Sequence, residues 1–145
     1  MKRIILLIIT SVFCLMAHAE WIEAAETDDY LVYINSEINK DDFGNYMAWF
    51  KYVPQTSSLT RIRKGYYREF KKKGYLKLTH FMNLYKYSLR DNKSMLITTT
   101  YYASGKPIET VNYDYVSEWQ YPVPESLSEA MMEAVKLLVI MQESD

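Results

Sequence analysis

One stretch, residues 117–141, limits the fold more than any other. It reads S-E-W-Q-Y-P-V-P-E-S-L-S-E-A-M-M-E-A-V-K-L-L-V-I-M. Leu127, Ala130, Met131, Ala134, Val135, Leu138 and Val139 recur at helical spacing and draw one apolar stripe, with Glu125, Glu129 and Glu133 on the other side. Ser126 followed by Glu129 reads as a capping box. Pro122 and Pro124 cannot extend the helix backwards, so its start is sharp. A helix with one apolar face needs a partner to cover, and almost everything upstream reads as strand. The expected class is α+β: an antiparallel, meander-like curved sheet with this C-terminal helix on one face.

At 145 residues the chain is expected to form one domain. Lys2 and Arg3, the apolar residues 4–16 and Ala17-His18-Ala19 have the order of a signal peptide, with cleavage expected after Ala19. The apolar run is short for a membrane span. Cys14 follows Phe13, where a lipobox wants a small residue, which argues against lipidation. The expected mature domain, residues 20–145, is exported, lacks cysteine and keeps His80 as its one histidine. Small exported domains commonly use disulfides. This one must rely on burial, for which it retains fourteen tyrosines and three tryptophans.

The strands follow from period-two patterning. A short strand opens at Trp21, and Y-L-V-Y-I-N at residues 30–35 is dense enough for a well-covered strand. Residues 36–40 read as a turn of helix or a loop with Ile38 tucked inward, and residues 42–45 as a turn. In residues 46–53, Tyr46, Ala48, Phe50 and Tyr52 share one face. Residues 75–89 alternate with Leu76, Leu78, His80, Met82 and Leu84 opposite Phe81, Tyr85 and Tyr87. Asp91-Asn92 and Ser104-Gly105 are expected turns. Residues 93–102 read as strand, and residues 108–113 as a weaker one near an edge because Pro107 opens it. Residues 59–73 stay open between helix and loop: Ile62, Tyr66, Tyr67 and Phe70 approximate a helical stripe, Gly65 weakens it and Gly74 would stop it.

Chemistry-bearing constellations are sparse. There is no G-x-S-x-G and no mature cysteine nucleophile, and His80 sits among apolar strand residues, where a hydrogen-bonded, partly buried imidazole is the ordinary reading. Zinc ligands are lacking, and Asp28-Asp29 and Asp41-Asp42 lack the spacing of a calcium loop, so they read as solvated turns. No catalytic, cofactor or metal residues are assigned. The local feature that suits binding is basic. Arg61, Arg63, Lys64, Arg68, Lys71, Lys72 and Lys73 crowd into thirteen residues of a chain whose net charge is −1, and Tyr66 and Tyr67 are interleaved with them. These nine residues are the candidate ligand-binding set. The competing reading is a solvated face that keeps a connector soluble. Export excludes cytoplasmic nucleic acid, leaving sulfated glycans, lipid head groups, acidic proteins or a second copy as partners.

The order of signposts resembles the surface-adhesin protein E family of exported bacterial domains. They are Trp21, Y-L-V-Y-I-N, M-A-W-F at residues 47–50, T-T-T-Y-Y-A-S-G-K at residues 98–106 and S-E-W-Q-Y-P-V-P-E-S at residues 117–126. The resemblance spans nearly the whole mature chain. It implies a curved antiparallel sheet under a C-terminal helix, an envelope or surface location and, for the best-known member, adhesion to host matrix and serum proteins. It also implies a disulfide from sheet to helix, but the corresponding places, near residues 87–89 and 138–139, hold no cysteine. Forgoing such a cross-link forfeits about 2–4 kcal/mol.

The expected function is therefore a non-enzymatic envelope or surface protein, adhesin-like, binding host matrix or serum proteins or anionic glycans, with location in the periplasm or at the cell surface. The alternative is a periplasmic structural or assembly factor with no host ligand. Membrane association without a transmembrane span and a homodimer both stay open.

Overall fold

The structure, a computed structural model, describes residues 20–145. The expected signal peptide and Cys14 lie outside the described residues. The chain runs β1 (Trp21–Glu26), β2 (Tyr30–Asn35), β3 (Asn39–Lys40), β4 (Tyr46–Pro54), α1 (Leu59–Phe70), a 3₁₀ stretch (Lys73–Lys77), β5 (His80–Ser88), β6 (Lys93–Ala103), β7 (Lys106–Asn112) and α2 (Leu127–Glu143). The strands form one seven-stranded sheet in the order β1-β2-β4-β5-β6-β7, with β3 beside the start of β4. All pairings are antiparallel. This is the expected α+β architecture, and β7 is the expected edge.

Alternation places two cross-strand rows on the covered face. One runs Val32, Tyr52, Phe81, Tyr101, and the next Ile34, Phe50, Asn83, Thr99. All eight are buried. Tyr52 and Phe81 stack with centroids 4.6 Å apart, so the rows are held by side-chain contact as well as by the ladder. Asn83 is tolerated there because its Oδ1 accepts a bond from Thr99 Oγ1 at 2.7 Å.

The terminal helix lies on this face. Met131, Met132, Val135, Leu138 and Val139 are all buried, with Val135 fully so. The sharp start is present, with Ser126 at the N-cap, but the capping box is not made. Ser126 Oγ donates instead to the Val123 carbonyl at 2.6 Å, and Glu129 accepts from the amide of Glu125 at 2.7 Å. The turn through Pro124 and Glu125, the latter at φ +57°, takes the hydroxyl that the helix amides would otherwise bond.

Residues 59–73 resolve as a helix followed by a turn. Lys71, at φ +57°, is the left-handed cap, its amide bonding the Tyr67 carbonyl, so the helix stops before Gly74. The strand expected from residue 75 begins only at His80. Tyr75 and Leu78 are fully buried and Leu76 is exposed, because the intervening 3₁₀ turn breaks the alternation. Two smaller differences concern connections. Asn39–Lys40 form a short strand, with Ile38 tucked inward as expected. The β5–β6 connection spans residues 89–92, not Asp91-Asn92 alone, since Ser88 pairs with Lys93. The β6–β7 turn is Ser104-Gly105 at φ +52° and +78°, the left-handed pair that a tight hairpin needs.

The docking of α2 is testable by truncation on its two sides. Met132→Ala, at a position 1 % exposed, should lower unfolding free energy by about 2–5 kcal/mol. Leu137→Ala, 59 % exposed, should change it by less than about 0.5 kcal/mol. Urea melts of the two variants measure the contrast.

Candidate functional site

The basic segment is placed by α1. Its first turn is pinned from the β1–β2 turn: Ser58 Oγ donates to Asp29 Oδ1 at 2.7 Å, and Arg61 pairs with the same oxygen. The Ser58 hydrogen bond and the Arg61 charge hold the Asp29 carboxyl below its ordinary range. The inward side carries Ile62, Tyr66 and Phe70. Tyr66 stacks on Tyr75 at 5.6 Å and meets Tyr101 edge-on at 5.3 Å, while Phe70 stacks on Tyr75 at 5.2 Å. Burial raises the Tyr66 pKa, so its phenol stays neutral.

The nine candidate residues therefore separate. Tyr66 and Tyr67 pack against the core. Arg61 is held by Asp29. Arg63 donates through Nε to the Leu78 carbonyl at 2.9 Å and ties the helix to the chain entering β5. Lys72 pairs with Glu109 of β7, a carboxylate that also accepts from the Tyr75 hydroxyl. The bonds from Lys72 and Tyr75 hold the Glu109 pKa down. Lys64, Arg68, Lys71 and Lys73 are exposed and make no ion pair among the described residues. Lys64, Arg68 and Lys71 stand at i, i+4 and i+7, which is one stripe of the helix. Local spacing could have found this stripe. It could not have found Asp29 and Glu109, which reach the segment from the β1–β2 turn and from β7.

Gly65 lies inside the stripe, and a Cβ built there would meet nothing within 4 Å. The resulting open notch, about 610 Å³, is floored by Tyr30 and Tyr66 and rimmed by Arg61, Arg68 and Glu69. It carries both signs of charge, and Arg68 is shared between its rim and the outer stripe. On the opposite face of the sheet, His80 stacks on Tyr102 at 4.8 Å and its Nδ1 meets the Thr79 hydroxyl at 3.0 Å. Burial, with Lys51 nearby, lowers its pKa. No helix among the described residues is long and apolar enough to cross a membrane. Set against protein-family models, curated proteins and solved structures, the chain matches none of them.

The pKa directions specify the pH dependence of stability. His80 is lowered from 6.5 in the folded chain, so the unfolded chain takes up the proton first. Its contribution is complete above that value and is lost as pH falls toward the folded pKa. Asp29 and Glu109, lowered from 3.8 and 4.5, contribute above those values and lose their effect as pH falls through their folded pKa values. Urea midpoints should therefore fall on acidification, first below 6.5 through His80 and further below 4.5 through the two carboxylates. His80→Gln should remove the part of the fall that begins below 6.5 and leave the carboxylate part.

Proposed function

We propose that the chain is an exported, non-enzymatic binding module of the surface-adhesin protein E type, whose contact surface is the outer stripe of α1. The supporting observation is the division of the basic segment. Arg61, Arg63 and Lys72 are engaged in holding α1 and the following turn to the sheet, whereas Lys64, Arg68, Lys71 and Lys73 are left without acidic partners. From Lys64 to Lys71 the stripe extends about 10 Å along the helix, enough to meet more than one charge of an extended polyanion. Like charges held side by side raise one another's energy, and an anionic ligand relieves that repulsion. The ligand class is an anionic glycan or an acidic patch on a host matrix or serum protein.

A second reading, a periplasmic assembly factor, rests on the face of the sheet that carries no helix. Leu31, Tyr33, Trp49, Val53, Met82 and Leu84 are half-buried there, and Lys51 lies over the rings of Trp21 at 4.6 Å and Tyr33 at 5.4 Å. Such a surface suits a protein partner or a second copy.

Charge reversal of Lys64, Arg68, Lys71 and Lys73 together should weaken binding to immobilised heparin and matrix glycoproteins by about tenfold or more, and wild-type binding should fall steeply with salt. The reversed protein should keep its urea midpoint. Unchanged binding by a folded variant would remove α1 as the contact surface. Protection of the protein from protease added to intact cells would favour the periplasmic reading.

A further inference from the structure

A slot opens beneath the first turn of α2, between that turn, strands β5 and β6, and residues 116–120. It consists of two hollows that share Tyr85, Ser94 and Ser128, the inner about 270 Å³ and the outer about 470 Å³. Together they reach the size of a small-molecule site. The mouth is braced: Ser117 Oγ donates to the Leu96 carbonyl, and Ser94 and Gln120 exchange backbone bonds of 2.9 and 2.7 Å.

The inner wall has an unanswered donor. Tyr87 lines the inner hollow and is 1 % exposed, and the tyrosine hydroxyl bonds among the described residues involve Tyr46, Tyr52, Tyr75 and Tyr85, not Tyr87. Among the described residues no fully enclosed side-chain nitrogen or oxygen lacks a partner, so the sliver of Tyr87 that remains open includes this oxygen. The open oxygen can therefore give its proton to a molecule that occupies the hollow. Its neighbours are poorly answered too. The Tyr52 hydroxyl donates to Met131 Sδ at 3.2 Å, a weak acceptor, and Tyr85 Oη accepts from Asn83 Nδ2 at 3.3 Å. Burial raises the pKa values of Tyr52 and Tyr87, which keeps both phenols protonated.

The lining defines what would fit. The Tyr87 O–H at the inner end calls for an acceptor. No cation lines either hollow, and Glu118 stands at the mouth, so a carboxylate or phosphate would be buried without compensation. Leu96, Val116, Leu127 and Met131 offer apolar surface to the rest of the ligand. We propose that this slot is a binding site for a neutral, largely apolar small molecule that carries a carbonyl or ether oxygen at its buried end, received by the hydroxyl of Tyr87. The site is separate from the basic stripe of α1 and does not depend on what that stripe binds.

The neutral fluorescent ketone Prodan tests the assignment. The protein should bind it saturably at one site per chain, with an emission shift that marks transfer out of water. Tyr87→Phe keeps the ring and removes the donor, and should weaken binding about three- to tenfold. Its thermal midpoint should not fall, because the hydroxyl has no protein partner to lose. Ser128→Trp, an exposed position at the mouth, should abolish binding, and Lys64→Glu on α1 should leave it unchanged. Absence of saturable binding to the folded wild-type protein would overturn the proposal. So would a Tyr87→Phe variant that binds as tightly as wild type, or a folded Ser128→Trp variant that still binds.

Discussion

The whole structure depends on one apolar contact, the burial of α2 against the covered face of the sheet. Met131, Met132, Val135, Leu138 and Val139 leave water together on this contact. Fully burying a side chain of this kind is worth about 1.5–3 kcal/mol. Two such residues therefore match the roughly 2–4 kcal/mol that a cross-link between helix and sheet would supply. The lack of a cysteine in the described residues is consistent with this arithmetic: packing alone is sufficient to seat the helix. The same contact forms the slot, because the inner hollow is enclosed only where Leu127 and Met131 of α2 stand over Tyr52 and Tyr87.

Helix α1 is held by different physics. Its inward side joins a stacked aromatic group with Tyr75 and Tyr101, and its ends are tied by charge, Arg61 to Asp29 at the start and Lys72 to Glu109 just past the end. Exposed ion pairs contribute little individually. Here they act mainly by orientation, fixing which side of α1 faces outward. That orientation, and not the density of lysine and arginine, decides which cations are available to a ligand.

Local periodicity carried most of the architecture. The strands at residues 30–35 and 46–54, the tight turn at Ser104-Gly105 and the apolar stripe of α2 were all legible, because period-two and helical patterns there coincide with burial. Residues 59–73 were ambiguous since Gly65 and the run of cations dilute the helical stripe, and the deciding contacts come from Tyr75 and Tyr101. Residues 75–79 look like strand locally because Leu76 and Leu78 alternate as a strand would, while the chain makes a 3₁₀ turn. The Ser126–Glu129 spacing met the rule for a capping box, but the preceding turn claimed the serine hydroxyl. The acids that engage Arg61 and Lys72, and the slot under α2, are assembled from distant elements, and no local window contains them.

Native-state hydrogen exchange tests the central claim most directly. If packing alone seats α2 as an integral part of the fold, the amides of its middle turns, near Val135 and Leu138, should exchange with the same opening free energy as those of β4 and β5, in one cooperative unit. Exchange of the α2 amides at a much lower free energy, with the strands still protected, would show a helix that detaches from a sheet able to stand without it, and would contradict the account.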